Sequence, residues 1–396
     1  MDICGIVAEF NPFHYGHKYL ISSAKAKIGN DCAVVAVMSG NFVQRGEPAF
    51  FDKFTRTRAA LENGVDVVIE LPVQYSVATA EKFSFGSIKM LESCEVVSHI
   101  AFGSECGDID LLKRAVSAMN NDEVKVALKD NLKKGVTFAA ARQNAVKSVY
   151  ENKPEIAEIF KNSNDILATE YLDATDRLSA DFTTICIKRN GVMHDDDKTS
   201  GKFTSASNLR GMIENGEDFS SYLPNSEIYF DKLRSGGAPA SLNNAARAVM
   251  MKLRGMGIDD FAKLPDISEG LQNRIYNACQ TACKIDGLYD MIKTKRYTHA
   301  RIRRIILSAL LDLSNESFEP QYIRVLGFTE KGQNVLKMMK QKSYLPIVTS
   351  YSSAKAISND AAAQFEAAAK NTDFYNLLTP EIRPCGDEFR QAVVKI

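Results

Sequence analysis

The sequence predicts an α/β chain: a parallel sheet with interleaved helices, then a mostly helical region, then a small α/β segment at the C-terminus. Three observations predict it. Short apolar runs rich in β-branched residues recur through the first 190 or so positions, each followed by a helical pattern. The first run passes through a turn straight into a helix, the order of a doubly wound sheet. From residue 241 to about 313 the pattern is largely helical, and strand runs return only after residue 321.

Each element has a local reason. Ile3–Ala8 carries the Ile and Val of a buried strand, Asn11-Pro12 turns the chain, and a helix is expected over 18–27; a start near His14 instead would put both imidazoles on one side of its first turn. Residues 32–38 form a continuous apolar second strand. The loop 39–48 that follows holds two glycines, Asn41, Gln44 and Arg45, a polar strand-end loop suited to a nucleotide or acyl group. A helix over 52–63 has Lys53, Arg56 and Arg58 supplying its charge. A strand over 65–71 stops at Pro72, and one long helix is expected over 76–91, with Glu81 and Lys82 either on the surface or lining a site. A strand over 96–102, helices over 108–160, an N-cap-like cluster from Ser163, and a strand Thr183–Lys188 complete the sheet region. Gly236-Gly237-Ala238-Pro239 reads as a break, dividing the chain into 1–235 and 236–396. The C-terminal part reads as a strand over 322–328, a helix, and a strand near Pro346.

Composition excludes some function classes. Among 396 residues, 49 basic and 49 acidic side chains cancel, so any nucleic-acid surface is a local patch and not a global field. No apolar run reaches the ~20 residues of a membrane span, and the opening M-D-I-C-G lacks the basic stretch of a signal peptide. Eight scattered cysteines without a C-x-x-C fit a reducing cytoplasm.

The chemistry concentrates at the first strand-to-helix junction. His14 and His17 are two of only five histidines, separated by a glycine-bearing step where an α/β sheet binds its ligand. A helix start offers unpaired N–H groups and positive dipole to a phosphate, and two imidazoles add donors for charge developing on it. H-x-G-H lacks the spacing and glutamate of a zinc-binding H-E-x-x-H, so no metal ligands are assigned. Gly103, at a strand end, would let backbone approach a ligand closely. Lys188 and Arg189 end another strand, where two cations can neutralise a triphosphate. Ser205, Ser207 and Arg210, at a helix start, form a phosphate-gripping arrangement. Between residues 284 and 304 stand Lys284, Lys293, Lys295, Arg296, Arg301, Arg303 and Arg304, opposed only by Asp286 and Asp290. Tyr289, Tyr297 and His299 interleave as stacking faces, so this run is the candidate RNA surface, with Lys293, Lys295, Arg296, Arg301, Arg303 and Arg304 as its contacts.

H-Y-G-H after a strand resembles the H-x-G-H signature of nucleotidyltransferases, Rossmann-like enzymes acting at the α-phosphate of ATP. The longer strings G-I-V-A-E-F-N-P-F-H-Y-G-H and M-S-G-N-F-V-Q-R-G-E-P, with F-G-S-E, D-I-S-E-G-L-Q-N-R-I and R-V-L-G-F-T-E-K-G, resemble the bacterial tRNA(Met) cytidine acetate ligase family across nearly the whole chain. The resemblance implies ATP contacts at Val7, Ala8, Glu9, Phe10, Asn11, Pro12, Phe13, His14, Tyr15, Gly16, His17, Lys18, Tyr19 and Leu20. It also implies contacts at Gly103, at Asn164 or its neighbour Asp165 (with Asn164 preferred), at Lys188 and Arg189, and at Ser205, Ser207 and Arg210. F-T-S-A-S-N-L-R is similar to the S-S-T-x-I-R motif over the β- and γ-phosphates, departing from it most at Ala206. N-G-V-M-H-D is shorter by one residue than the family's usual run, which leaves the role of His194 open. The expected activity is activation of acetate by ATP, with Mg²⁺ bridging the phosphates, and acetyl transfer to N4 of the wobble cytidine of elongator tRNA(Met). The alternatives are a small-molecule adenylyltransferase or acyl-adenylate synthetase without RNA, and a non-catalytic RNA-binding protein with ATP as a structural ligand.

Overall fold

The computed structural model describes residues 1–189, 201–268 and 270–396. The strands, in chain order, are β1 (Ile3–Ala8), β2 (Ala33–Ser39), β3 (Phe42–Val43), β4 (Glu47–Pro48), β5 (Val67–Leu71), β6 (His99–Ser104), β7 (Thr183–Lys188), β8 (Ile323–Phe328), β9 (Ile347–Val348) and β10 (Val394–Lys395). All but the β3–β4 hairpin join one sheet in the order β10-β8-β5-β2-β1-β6-β7, with β9 beside β8. Pairing from β5 across to β7 is parallel, and β8 meets β5 antiparallel.

Alternation along β2 shows why the sheet is buried on both faces. Ala33, Val35 and Val37 enter one core, while Val34, Ala36 and Met38 enter another. Residues that look like a uniform apolar run therefore serve two opposite layers, as a parallel sheet requires. A third core lies within the helical region, around Leu253, Phe261, Ile275, Leu288 and Ile306. It includes Phe42 and Val77, so that region packs onto the strand-end loops.

Several expectations shift. The helix expected over 76–91 is two: Val73–Ser76, then Ala80–Glu92, whose N-cap Thr79 accepts the Lys82 N–H. Glu81 and Lys82 are exposed. Lys53 and Arg56 do not supply surface charge. They are 1 % and 0 % exposed, whereas Arg58 is solvated. Lys53 Nζ lies 2.8 Å from both Glu70 and Glu388, and Arg324 closes the set on Glu388 at 3.2 Å. Arg56 donates to the carbonyls of Phe51 (2.9 Å), Glu9 (2.6 Å), Ser39 (3.0 Å) and Gly40, drawing the ends of β1 and β2 together. Such distant carbonyl acceptors leave no mark in helical periodicity.

The division after residue 235 crosses a single sheet. The chain leaves the sheet for the helical region and comes back as β8, which covers the β5 edge and pairs its backbone groups. The small C-terminal α/β segment thus extends the first sheet.

Candidate active site

A cavity of about 380 Å³ opens at the carboxyl ends of β1, β6 and β7, the ligand-binding edge of an open α/β sheet. Its most informative side chains are the two imidazoles. The first helix runs Tyr15–Ile28 with His14 as its cap, so it starts near His14 and not at residue 18. His14 Nδ1 accepts the Gly16 N–H at 3.0 Å, and His17 Nδ1 accepts the His14 N–H at 3.2 Å. A ring nitrogen that accepts an N–H carries no proton, so these bonds assign both rings as neutral imidazoles protonated at Nε2. The ring centroids lie 3.9 Å apart, and Phe10 and Phe13 brace His17 at 5.0 and 5.5 Å. Both histidines therefore enter the site as donors.

Cations stand on the far side. Arg189 prolongs β7, donating its N–H to Ser104 O at 3.0 Å, and its side chain crosses Gly103, where a Cβ would meet Arg189 Cγ at 3.4 Å. That is ordinary van der Waals contact, so crowding by Arg189 does not by itself require glycine at 103. Ser205 caps the helix Ala206–Glu214, accepting the Asn208 N–H at 3.0 Å. Arg210, in the next turn, donates to Asn11 O at 3.0 Å. Burial pulls both guanidinium pKa values down, opposed at Arg189 by Glu105 and at Arg210 by Glu47 and Glu9.

Asn164 and Asp165 divide the work between them. Asp165 is fully buried, accepting from Ser104 Oγ, from the Cys106 N–H at 3.1 Å and from Asn162 Nδ2 at 2.9 Å. Asn164 lines the cavity, its amide held by Glu105, which also accepts the Asp165 N–H at 2.9 Å. Asp165 thus builds the junction and Asn164 faces the ligand space.

Of the opening segment, Val7, Ala8, Glu9, Phe10, Asn11, His14, Gly16, His17, Tyr19 and Leu20 line the cavity, as do Gly103, Asn164, Arg189, Ser205, Ser207 and Arg210. Pro12, Phe13, Tyr15, Lys18, Asp165 and Lys188 do not. Pro12 and Phe13 are buried behind the turn, while Lys18 and Lys188 point to solvent. His194 lies outside the described residues. Sequence reasoning missed the apolar wall (Phe83, Phe102, Ile166, Leu167, Tyr171 and Ile187), which reads simply as core in the sequence. It also missed Glu47 and the positioning residue Glu105.

The basic run is dispersed. Lys293, Lys295 and Arg296 are exposed, but Arg301 donates to Asp266 O and Ser268 Oγ, Arg304 pairs with Asp266 at 3.0 Å, and Arg303 pairs with Glu47. Tyr289 and Tyr297 are buried in the helical core and present no stacking face. Among the described residues no group of three or more His, Cys, Asp or Glu could hold a metal, and no helix is long and apolar enough to cross a membrane.

A profile of the HIGH Nucleotidyl Transferase family matches residues 1–388. The tRNA(Met) cytidine acetate ligase of Thermoanaerobacter sp. (strain X514) is 40% identical over 407 aligned positions, covering 100% of both chains. The chain belongs to this ligase family. The member from Fervidobacterium nodosum is 36% identical, again over 100% of each chain. The apo crystal structure of Thermotoga maritima TmcAL superimposes with a TM-score of 0.94 at 34% identity over 100% of both chains, and its alpha-thio ATP complex with 0.92. The α/β fold class expected from the sequence is therefore that of the family.

Proposed function

We propose that this chain is an ATP-dependent acetate ligase, forming acetyl-adenylate and pyrophosphate and then acetylating N4 of the wobble cytidine of elongator tRNA(Met). One observation carries the phosphate half of this reading. Two neutral, Nε2-protonated imidazoles at a helix start share a cavity with Arg189, Arg210 and the hydroxyls of Ser205 and Ser207. The α-thio ATP complex of the T. maritima relative supports nucleotide binding in such a fold. Its relatives' name supplies the acyl acceptor.

In the first step a carboxylate oxygen of acetate attacks the α-phosphorus of ATP in line, and the bond to the pyrophosphate oxygen breaks. Acetate is already an anion, so this step needs no base. His14 and His17 donate to the α-phosphoryl oxygens as charge builds there, while Arg189 and Arg210 hold the triphosphate and the departing pyrophosphate. The adenine packs against the wall of Phe102, Ile166, Leu167 and Tyr171. Mg²⁺ would enter on the triphosphate as part of the substrate and neutralise its charge there.

Incubation with ATP, labelled acetate and total tRNA, followed by nucleoside analysis, tests the whole reading. Label in N4-acetylcytidine and equimolar AMP are expected, and AMP without labelled nucleoside refutes it. The internal pairing of Arg301, Arg303 and Arg304 favours a second reading, an acyl-adenylate synthetase that needs no RNA. Retention of tRNA on filters at two salt concentrations separates the two, because only the first predicts salt-sensitive retention.

A further inference from the structure

We propose that Glu9 is the base of the second half-reaction, taking the proton from the cytidine N4 amine as it attacks acetyl-adenylate; this inference rests on the acetate-ligase reading above. The exocyclic amine of cytosine shares its lone pair with the ring and is a weak nucleophile. Its attack on the acetyl carbonyl forms the N–C bond and breaks the C–O bond to phosphate, whose electron pair leaves on AMP. One proton must then leave nitrogen, and a placed acceptor there is worth ~10²–10⁴-fold.

The cavity offers few acceptors. His14 and His17 present Nε2–H donors, because Nδ1 of each is committed to a backbone N–H. Arg45, Arg189 and Arg210 accept nothing. Burial lifts the Tyr171 phenol far above its ordinary range, so it stays protonated. Among the described residues two carboxylates line the space, and Glu47 is engaged by Arg303 from the helical region. Of these two, Glu9 is the remaining candidate.

Its placement fits the role. Glu9 follows the last residue of β1, and Phe10, at φ 48°, reverses the chain so that Glu9 and the imidazoles face one cavity. Arg56 holds the Glu9 carbonyl at 2.6 Å, and the Gln44 N–H holds carboxylate Oε1 at 2.7 Å, which leaves Oε2 to a ligand. Among the described residues the charged groups acting on this carboxylate are Arg56, Arg210 and Arg45, and the imidazoles of His14 and His17, the Glu47 carboxylate and the Tyr171 phenol share its cavity. Burial outweighs the Gln44 N–H and the three guanidinium groups and pushes the Glu9 carboxyl above the ordinary carboxylate range. A raised carboxylate is a better proton acceptor near neutral pH than a solvated one. Oε2 takes the N4 proton and passes it to water after the products leave.

The test supplies chemically prepared acetyl-adenylate to the full-length enzyme with tRNA and follows single-turnover acetyl transfer from about pH 5 to 9. Wild-type transfer is expected to rise with pH through the Glu9 titration and then level. Glu9→Gln keeps an oxygen for the Gln44 N–H but cannot take a proton, so transfer should fall ~100-fold or more and lose that rise. Glu9→Asp, still a carboxylate, should keep the rise at a lower rate, and it decides the matter if the Gln variant fails to fold. A Gln variant with the wild-type rate and profile, or an Asp variant without the rise, overturns the role of Glu9 alone. A wild-type enzyme that transfers nothing from acetyl-adenylate overturns the ligase reading and this inference with it.

Discussion

His17 accepts the backbone N–H of His14 through Nδ1 at 3.2 Å, and this bond makes the pair a donor device instead of a base. His17→Ala removes one phosphate donor, which typically costs ~2.7–4 kcal/mol of transition-state stabilisation. ATP–pyrophosphate exchange in the presence of acetate should drop about a hundredfold or more. The lost capping bond should cost only about 1 kcal/mol of stability, read by thermal melting. An unchanged exchange rate would remove the pair from the chemistry.

Asn164 and Asp165 should separate cleanly by phenotype. Asp165→Ala strips the acceptor from Ser104, Cys106 and Asn162 at a fully buried site, so it should cost about 3 kcal/mol or more, seen as a lowered midpoint in urea. Asn164→Ala sits at the cavity wall and should change stability by less than about 1 kcal/mol while raising the KM for ATP in the exchange assay. The reverse pattern would reassign the ligand contact to Asp165.

Acid should weaken the fold through Asp52 and Glu388. Burial pushes the Asp52 carboxyl up, but the Lys232 ammonium at 2.8 Å and the donors of Thr55 outweigh it and hold Asp52 below its ordinary value of 3.8. Burial likewise opposes Glu388, and Lys53 with Arg324 overcomes it, leaving the carboxyl below its ordinary value of 4.5. A depressed folded-state pKa means stability that is complete above the unfolded value and lost as pH falls through the folded one. Melting temperature should therefore decline from about pH 5 downward, and Lys232→Met should flatten part of that decline. A wild-type melting temperature constant down to about pH 3 would contradict both pairings.

The exposed part of the basic run should carry the RNA electrostatics. Lys293→Ala, Lys295→Ala and Arg296→Ala combined should reduce the slope of log affinity for tRNA against log salt by roughly 2. Arg303→Ala, which releases Glu47, should instead show in the melting temperature. If the triple variant keeps the wild-type slope, the RNA surface lies elsewhere.

Much of the fold was legible because its causes are local. A β-branched run, the Asn11-Pro12 turn and a glycine between two histidines are set by neighbours within a few positions, and the structure puts β1 and the first helix there. The start of that helix is less legible, because its cap is a histidine, which sequence rules do not read as one, so residue 18 and the neighbourhood of His14 both fit the sequence. Lys53 and Arg56 looked like surface charge because helical position alone does not reveal that a strand end lies overhead. The apolar wall of the cavity was invisible for a related reason: Tyr171 or Phe102 beside a void has the same sequence signature as one packed solid.

The order of strands and helices, and the spacing of His14 from His17, were determined by the sequence through interactions spanning a turn or less. Tertiary structure alone decided which charges remain available for a ligand. Arg303 and Glu47 are 256 residues apart, and so far along a chain only the packing of the helical region on the β3–β4 hairpin brings them together. Electrostatic pairing depends on distance in space, and linear order carries almost none of that information.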